Sequence, residues 1–305
     1  MATVKRPTQL PRAAVLDAFR RVPRRFAALG LTDIAAALTY YAVFSIFPAL
    51  LALVSVLSFA GDGATQPLLD SLEESPGTTG DLLKGVVETA AGHGGGLTFA
   101  IGLGAAIWAA SGYVGAFGRA SNTIFGVEEG RPFWKLRPVL LALTTALLLL
   151  AALASIASVL SGPIARELGD VAGVGEEAVR TWDRLKLPGI LLVVWVLITL
   201  LMAVTPNVRL PGISWLLPGA LVALLTLIAT STGLAFYFAN FASYDKTYGT
   251  LAGVIAFLFW LWVSNIALLA GQLVNAELEY ERERATATTG RDGAMAATPK
   301  QAKSV

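Results

Sequence analysis

Charged residues withdraw from six long stretches of this chain. Residues 34–61, 89–118, 139–165, 187–208, 210–244 and 247–276 contain no Asp, Glu, Lys or Arg. Each holds an apolar core near or above the roughly 20 residues that cross about 30 Å of hydrocarbon as a helix. The cores read as 38–60, 97–117, 139–162, 189–205, 214–238 and 250–274. Inside lipid every backbone polar group must be satisfied within its own segment, so these are predicted helices. The expected fold class is all-α, a polytopic membrane helix bundle with about six transmembrane helices.

The segments between the cores have helical character of their own. Val15, Leu16, Phe19, Val22, Phe26 and Leu29 recur at helical spacing before the first core, interrupted by arginines and Pro23. Such a segment suits a helix lying on the inner membrane surface with its arginines near anionic headgroups, or a solvated basic leader. Stripes through Leu82, Leu83, Val86, Val87 and Ala90, and through Val174, Ala178, Trp182 and Leu185, predict amphipathic pieces folding back on the outer face. After Ala285 the chain is rich in Ala, Thr, Gly and Lys, and a disordered tail is expected. The expected organisation is a basic leader over 1–33, a membrane domain over 34–276, and a cytoplasmic, mostly disordered tail over 277–305.

Composition agrees with a membrane domain. Hydrophobic residues are 55% of the 305 and charged residues 14%, with a mean hydropathy of +0.65. A soluble domain carries about a quarter charged residues. Where the charges fall sets the orientation. With the N-terminus inside, about 17 basic residues lie on the inner side and about 6 on the outer, which the positive-inside rule favours. Both ends are expected in the cytoplasm, and no removable signal peptide precedes the first span. A net charge of +2 gives no reason to expect nucleic acid as a partner.

Most catalytic chemistry is excluded by what the chain lacks. There is no cysteine and one histidine, so thiolate sites and multi-histidine metal centres cannot form. His93-Gly94-Gly95-Gly96 looks like an oxyanion-hole string, but no G-x-S-x-G elbow accompanies it. No Gly-Lys-Ser/Thr phosphate loop exists. The chain is expected not to be an enzyme and to need no cofactor or metal.

The polar residues within the spans are the candidate substrate-binding set. Tyr41, Ser45 and Pro48 share a face of the first span, where Pro48 frees a carbonyl and bends the helix. Trp108, Ser111, Gly112, Gly115, Arg119 and Asn122 form a stripe on the second, its small residues permitting close helix approach. Arg119 is either an inner-side anchor or a reader of an anionic group, with Glu128, Glu129 and Arg131 near it. Asn265, Gln272 and Asn275 lie on the last span, followed by Glu277 and Glu279. An amide in hydrocarbon needs a partner, so these either bond between helices or line a polar path. Spans two and six are expected to meet, with Arg119, Asn122, Gln272 and Asn275 sharing one polar pocket.

Taken together, the strings Ala37-Leu38-Thr39-Tyr40-Tyr41 to Phe47-Pro48, Arg119-Ala120-Ser121-Asn122 with Glu129 and Arg131-Pro132-Phe133, and Tyr248-Gly249 through Trp260-Leu261-Trp262 to Gly271-Gln272-Leu273-Val274-Asn275-Ala276-Glu277 resemble the YihY/BrkB family. The resemblance covers roughly 26–279. It implies a bacterial inner-membrane protein of six spans. Members of that family have carried an old ribonuclease label, a virulence or serum-resistance association, and proposals of export or lipid-linked transport. Gln272 stands where many members have an acidic residue.

The resulting expectation is a transporter or exporter of an amphipathic or anionic solute or lipid. A membrane organiser binding partner proteins or anionic lipid is the alternative, and an intramembrane enzyme ranks third. No carboxylate sits in the middle of any span, so a buried proton-coupling acid is not expected. The partners implied are the lipid bilayer, an unidentified small solute or lipid, and at most further copies of the chain in a homo-oligomer.

Overall fold

Each of the six predicted cores overlaps a long helix of the computed structural model, which describes residues 6–58, 96–159, 176–208, 212–240 and 250–296; the ends of the first and third cores, 59–60 and 160–162, lie outside the described residues. In chain order these are α1 (Arg12–Ala28), α2 (Leu31–Ser58), α3 (Gly96–Phe125), α4 (Phe133–Val159), α5 (Glu176–Val204), α6 (Leu217–Asn240) and α7 (Thr250–Ala296). The described residues contain no strand. The protein is therefore an all-α membrane helix bundle of about six transmembrane helices. Four helices among the described residues are long and apolar enough to cross a membrane, and a fifth is added if α1 and the start of α2, bent by 70°, form one span. Only 17–22% of the residues in those four windows are buried. Helices so apolar and so open need lipid as their solvent.

Local chemistry ends these helices where loops are needed. Gly30 and Gly126 have φ of 60° and 67°, the left-handed conformation that glycine adopts without a Cβ clash. At α3, Val127 N–H donates to Asn122 O and Gly126 N–H to Thr123 O, the paired bonds of a Schellman ending.

The chain divides into two compact units. The first comprises residues 1–36, 120–129 and 206–305. Here α6 and α7 approach closely through Ala220, Ala223 and Ala267, all fully buried. Gly219 is required at this crossing, because a Cβ there would run into Gly271 O and the Asn275 side chain. The leader helix α1 docks on α7 through a core of Leu10, Ala18, Trp215, Val274 and Leu278. Val15 and Val22 pack against that core, while Leu16 and Phe19 remain exposed. The apolar stripe of the leader is thus divided between a protein contact and an exposed edge.

The second unit comprises residues 37–119 and 130–205. In it α4 packs along α5. A Cβ at Gly115 of α3 would meet Leu140 of α4 at 3.3 Å, and one at Gly118 would meet Thr205 O at 3.4 Å. The small residues of the second span let these neighbours close in.

Two sequence expectations are corrected. The third-loop stripe does not fold back as a separate piece. Ala178, Trp182 and Leu185 belong to α5, which is continuous from Glu176, and Trp182 and Leu185 stay exposed. The run from Glu176 to Lys186 is rich in Glu, Ala, Arg, Leu and Lys, all good helix formers, and it propagates from the span behind it. The tail is not disordered from Ala285 onward, since α7 continues through Ala296. Arg282 pairs with Glu279, Arg284 with Glu281, and Thr286 Oγ1 donates to Arg282 O. Such contacts three and four residues apart support a helix. The stripe at Leu82–Ala90, His93, Tyr248-Gly249 and 297–305 lie outside the described residues.

Candidate functional site

In the first unit, polar groups gather where α1, the end of α3, the start of α6 and the end of α7 meet. Glu277 is 1% exposed. Arg21 Nε donates to its Oε2 at 2.6 Å and Arg25 Nη1 to its Oε1 at 2.7 Å. Arg21 Nη2 donates to Glu281 Oε1 at 2.6 Å. Burial works against the charge on Arg21, but its bonds to Glu277 and Glu281 outweigh this and raise its pKa. Arg25 Nη2 also donates to Ile124 O at 2.9 Å, capping a last-turn carbonyl of α3 that has no helical partner. The leader arginines expected at headgroups divide accordingly. Arg21 and Arg25 face protein, and Arg20 and Arg24 are exposed.

Two of the amides in this unit reach backbone N–H groups outside their own helices. Asn122 Nδ2 donates to Glu129 at 3.0 Å, and its Oδ1 accepts the N–H of Asn207 at 2.7 Å. Asn207 Nδ2 returns to Glu128 O at 3.1 Å. Asn275 Oδ1 accepts the N–H of Gly219 at 2.9 Å, one of the first-turn donors of α6 that its own helix cannot satisfy. Asn265 Nδ2 donates to Leu261 O one turn back. Gln272 is fully buried. Of the four residues expected to share a pocket, Asn122 bonds to Glu129 and Asn207, and Asn275 bonds to Gly219. Asn275 and Asn122 thus satisfy backbone donors at the start of α6 and in the loop before it, whereas Asn265 bonds within its own helix.

In the second unit the guanidinium of Arg119 lies over the Tyr41 ring, 5.5 Å from its centre, a cation–π geometry. This joins two of the candidates. Ser45 is half-buried, and the side chain of Pro48 is outside the described residues. Ser111 Oγ donates to Trp108 O at 2.6 Å, a bond within one helix turn. Arg131 caps α5, with Nη2 on Thr205 O at 2.6 Å and Nη1 on Val204 O at 3.4 Å. Arg137, read from sequence only as a basic loop residue, stacks over Trp108 at 3.8 Å. Its place just before Pro138, within the opening turns of α4, was the available signal.

Among the described residues of the second unit there is a groove. It lies between the end of α4 and the start of α5, with a volume of about 1090 Å³. Leu153, Ala157, Ile190 and Val193 line its apolar side, and Glu177, Thr181 and Lys186 supply polar groups. An apolar trough with few polar groups suits an amphipathic molecule. None of the ten candidate residues lines it, and Trp182 and Leu185, which do, had been read only as an amphipathic loop stripe.

Residues 22–295 match the family described as virulence factor BrkB. The chain belongs to the BrkB family. Among BrkB relatives, the chain is 27% identical over 249 residues to the ribonuclease-like protein YfkH of Bacillus subtilis, covering 81% of this chain and 90% of that one. It is 33% identical over 281 residues to a UPF0761 membrane protein of Alkalilimnicola ehrlichii, covering 89% of this chain but 60% of the relative. A UPF0761 membrane protein of Rhodospirillum centenum is 32% identical over 187 residues, 58% of this chain and 38% of the relative. The chain thus spans most of YfkH and a smaller part of the other two. No solved structure matches it.

Proposed function

We propose that this BrkB-family protein is a transporter or exporter that carries an amphipathic or anionic solute or lipid across the bacterial inner membrane, without catalysis of its own. Both termini are cytoplasmic in this reading. The observation that carries it is the groove between α4 and α5, whose apolar wall can cover an acyl chain while Lys186, Glu177 and Thr181 meet a polar end. With the N-terminus inside, this groove lies at the outer end of the bundle, where an exported molecule would leave.

Gly189 gives a direct test. It lines the groove, and nothing lies within 4 Å of where its Cβ would be. The Cβ of Gly189→Phe therefore meets no neighbour, and its ring adds bulk to the groove. It should abolish complementation of a deletion strain while membrane abundance stays at the parental level. Full complementation by Gly189→Phe removes the groove from the function.

The organiser reading draws on a different observation. Polar residues of α7 are engaged in packing, Asn275 with Gly219 and Glu277 with α1. A protein that only scaffolds partners would tolerate the filled groove and fail when α1 is released from α7.

A further inference from the structure

The arginines at the helix ends differ in how they are satisfied. Arg21 and Arg25 reach buried carboxylates, and Arg131 reaches two terminal carbonyls. Arg137 has neither. Its Nη2 donates to Trp108 O at 3.1 Å, and its guanidinium lies 3.8 Å from the centre of the Trp108 ring. Among the described residues that is its one hydrogen bond, no carboxylate pairs with it, and its Nε is buried without an acceptor. Trp108 O already accepts Ser111 Oγ at 2.6 Å and has little capacity left.

An arginine keeps its charge at any physiological pH and carries five N–H donors. Here most of those donors are unused, beside a residue near the middle of α3. A cation left so in a spanning bundle is costly unless an anion joins it. Stacking on Trp108 fixes the plane of the guanidinium, so little freedom remains to be lost when a ligand arrives. Phosphate matches that fork with charge and several acceptors. The surroundings are apolar. Trp108 is 49% exposed, and Phe133 and Trp134, four and three residues before Arg137 on the same helical face, are 65% and 74% exposed. A soluble anion gains nothing from those rings, whereas an acyl chain covers them.

We infer that Arg137, held flat on Trp108, is a binding site for the phosphate group of an anionic phospholipid, with Phe133 and Trp134 as its apolar flank. The site concerns binding alone and does not depend on the groove between α4 and α5 or on transport.

The test is lipid titration of the full-length protein in detergent, read by native mass spectrometry. Phosphatidylglycerol, diacylglycerol and inorganic phosphate serve as separate probes. Phosphatidylglycerol should bind the parent and bind Arg137→Gln about tenfold more weakly, the loss expected for a charge-assisted contact. Diacylglycerol should not distinguish the two proteins. Arg137→Lys keeps the charge, and so protects against a folding defect, but loses the planar fork and should bind about threefold more weakly. Equal phosphatidylglycerol binding by the parent and both variants overturns the inference. Arg137-dependent binding of inorganic phosphate with no preference for the lipid overturns its lipid part and leaves a soluble-anion site. Because nothing in this assay is translocated, its failure leaves the exporter reading intact.

Discussion

Arg25 and Glu277 are 252 residues apart in the chain and 2.7 Å apart in the fold. Glu277 is 1% exposed, whereas the Arg25 side chain is 38% exposed. The carboxylate is thus the buried half of the contact, and with Arg21 it ties the leader to the end of the last span. Removing Glu277 leaves Arg25 without its carboxylate, while Arg21 keeps Glu281.

Glu277→Gln should therefore destabilise the protein by about 1–3 kcal/mol, at the low end for breaking a buried pair because the arginines are partly solvated. Thermal melting in detergent measures the loss. Trypsin should also cut faster after Arg20 and Arg24, which are exposed on α1. An unchanged melting temperature with unchanged cleavage means that the leader is held by its apolar contacts alone.

Gly219→Ala should cost about 1–3 kcal/mol, the usual range for overpacking, because the added Cβ meets Gly271 O and Asn275. Gly233→Ala on the same helix is the control, since nothing lies within 4 Å of its Cβ position. Comparing inactivation half-lives in detergent separates them. Similar half-lives for the two variants would show that α6 and α7 move apart readily at that crossing.

The leader, the 120–129 segment, the loop before α6 and the end of α7 share hydrogen bonds. In the proposed orientation these segments face the cytoplasm. The chain has no cysteine, so single cysteines report cleanly. Ala13→Cys on α1 should resist an impermeant maleimide applied to intact cells, and Thr181→Cys at the start of α5 should react. The reverse pattern inverts the protein in the membrane.

Purified protein should not cleave RNA. YfkH carries a ribonuclease-like name, but this chain has one histidine and no cysteine. The assay is degradation of a labelled RNA with and without divalent metal. Cleavage that survives stringent purification and disappears in a point variant of this chain would overturn the expectation.

Helix type and approximate length were legible because they are local properties. A stretch without charge and long enough to cross the hydrocarbon becomes a helix whatever its neighbours do, and the six cores followed from that. The family was legible for a related reason: strings such as Gly271 to Glu277 keep their order and spacing along the chain. The continuation of α7 to Ala296 was harder to read, because a composition typical of disorder was outweighed by side-chain pairs three residues apart and by a long helix already nucleated.

Partners were a different matter. Sequence spacing placed Asn122 and Asn275 on the right faces, but whether each met the other or a helix end depended on which elements packed alongside. The fold gave Asn275 to Gly219 and Asn122 to Glu129 and Asn207. The same holds for the arginines, where Arg21 and Arg25 found carboxylates and Arg137 found only Trp108. Charge and hydropathy are written residue by residue, so the sequence alone determined that this is a helical membrane protein. A hydrogen bond needs two groups within about 3 Å, and only tertiary packing decides which distant groups come that close.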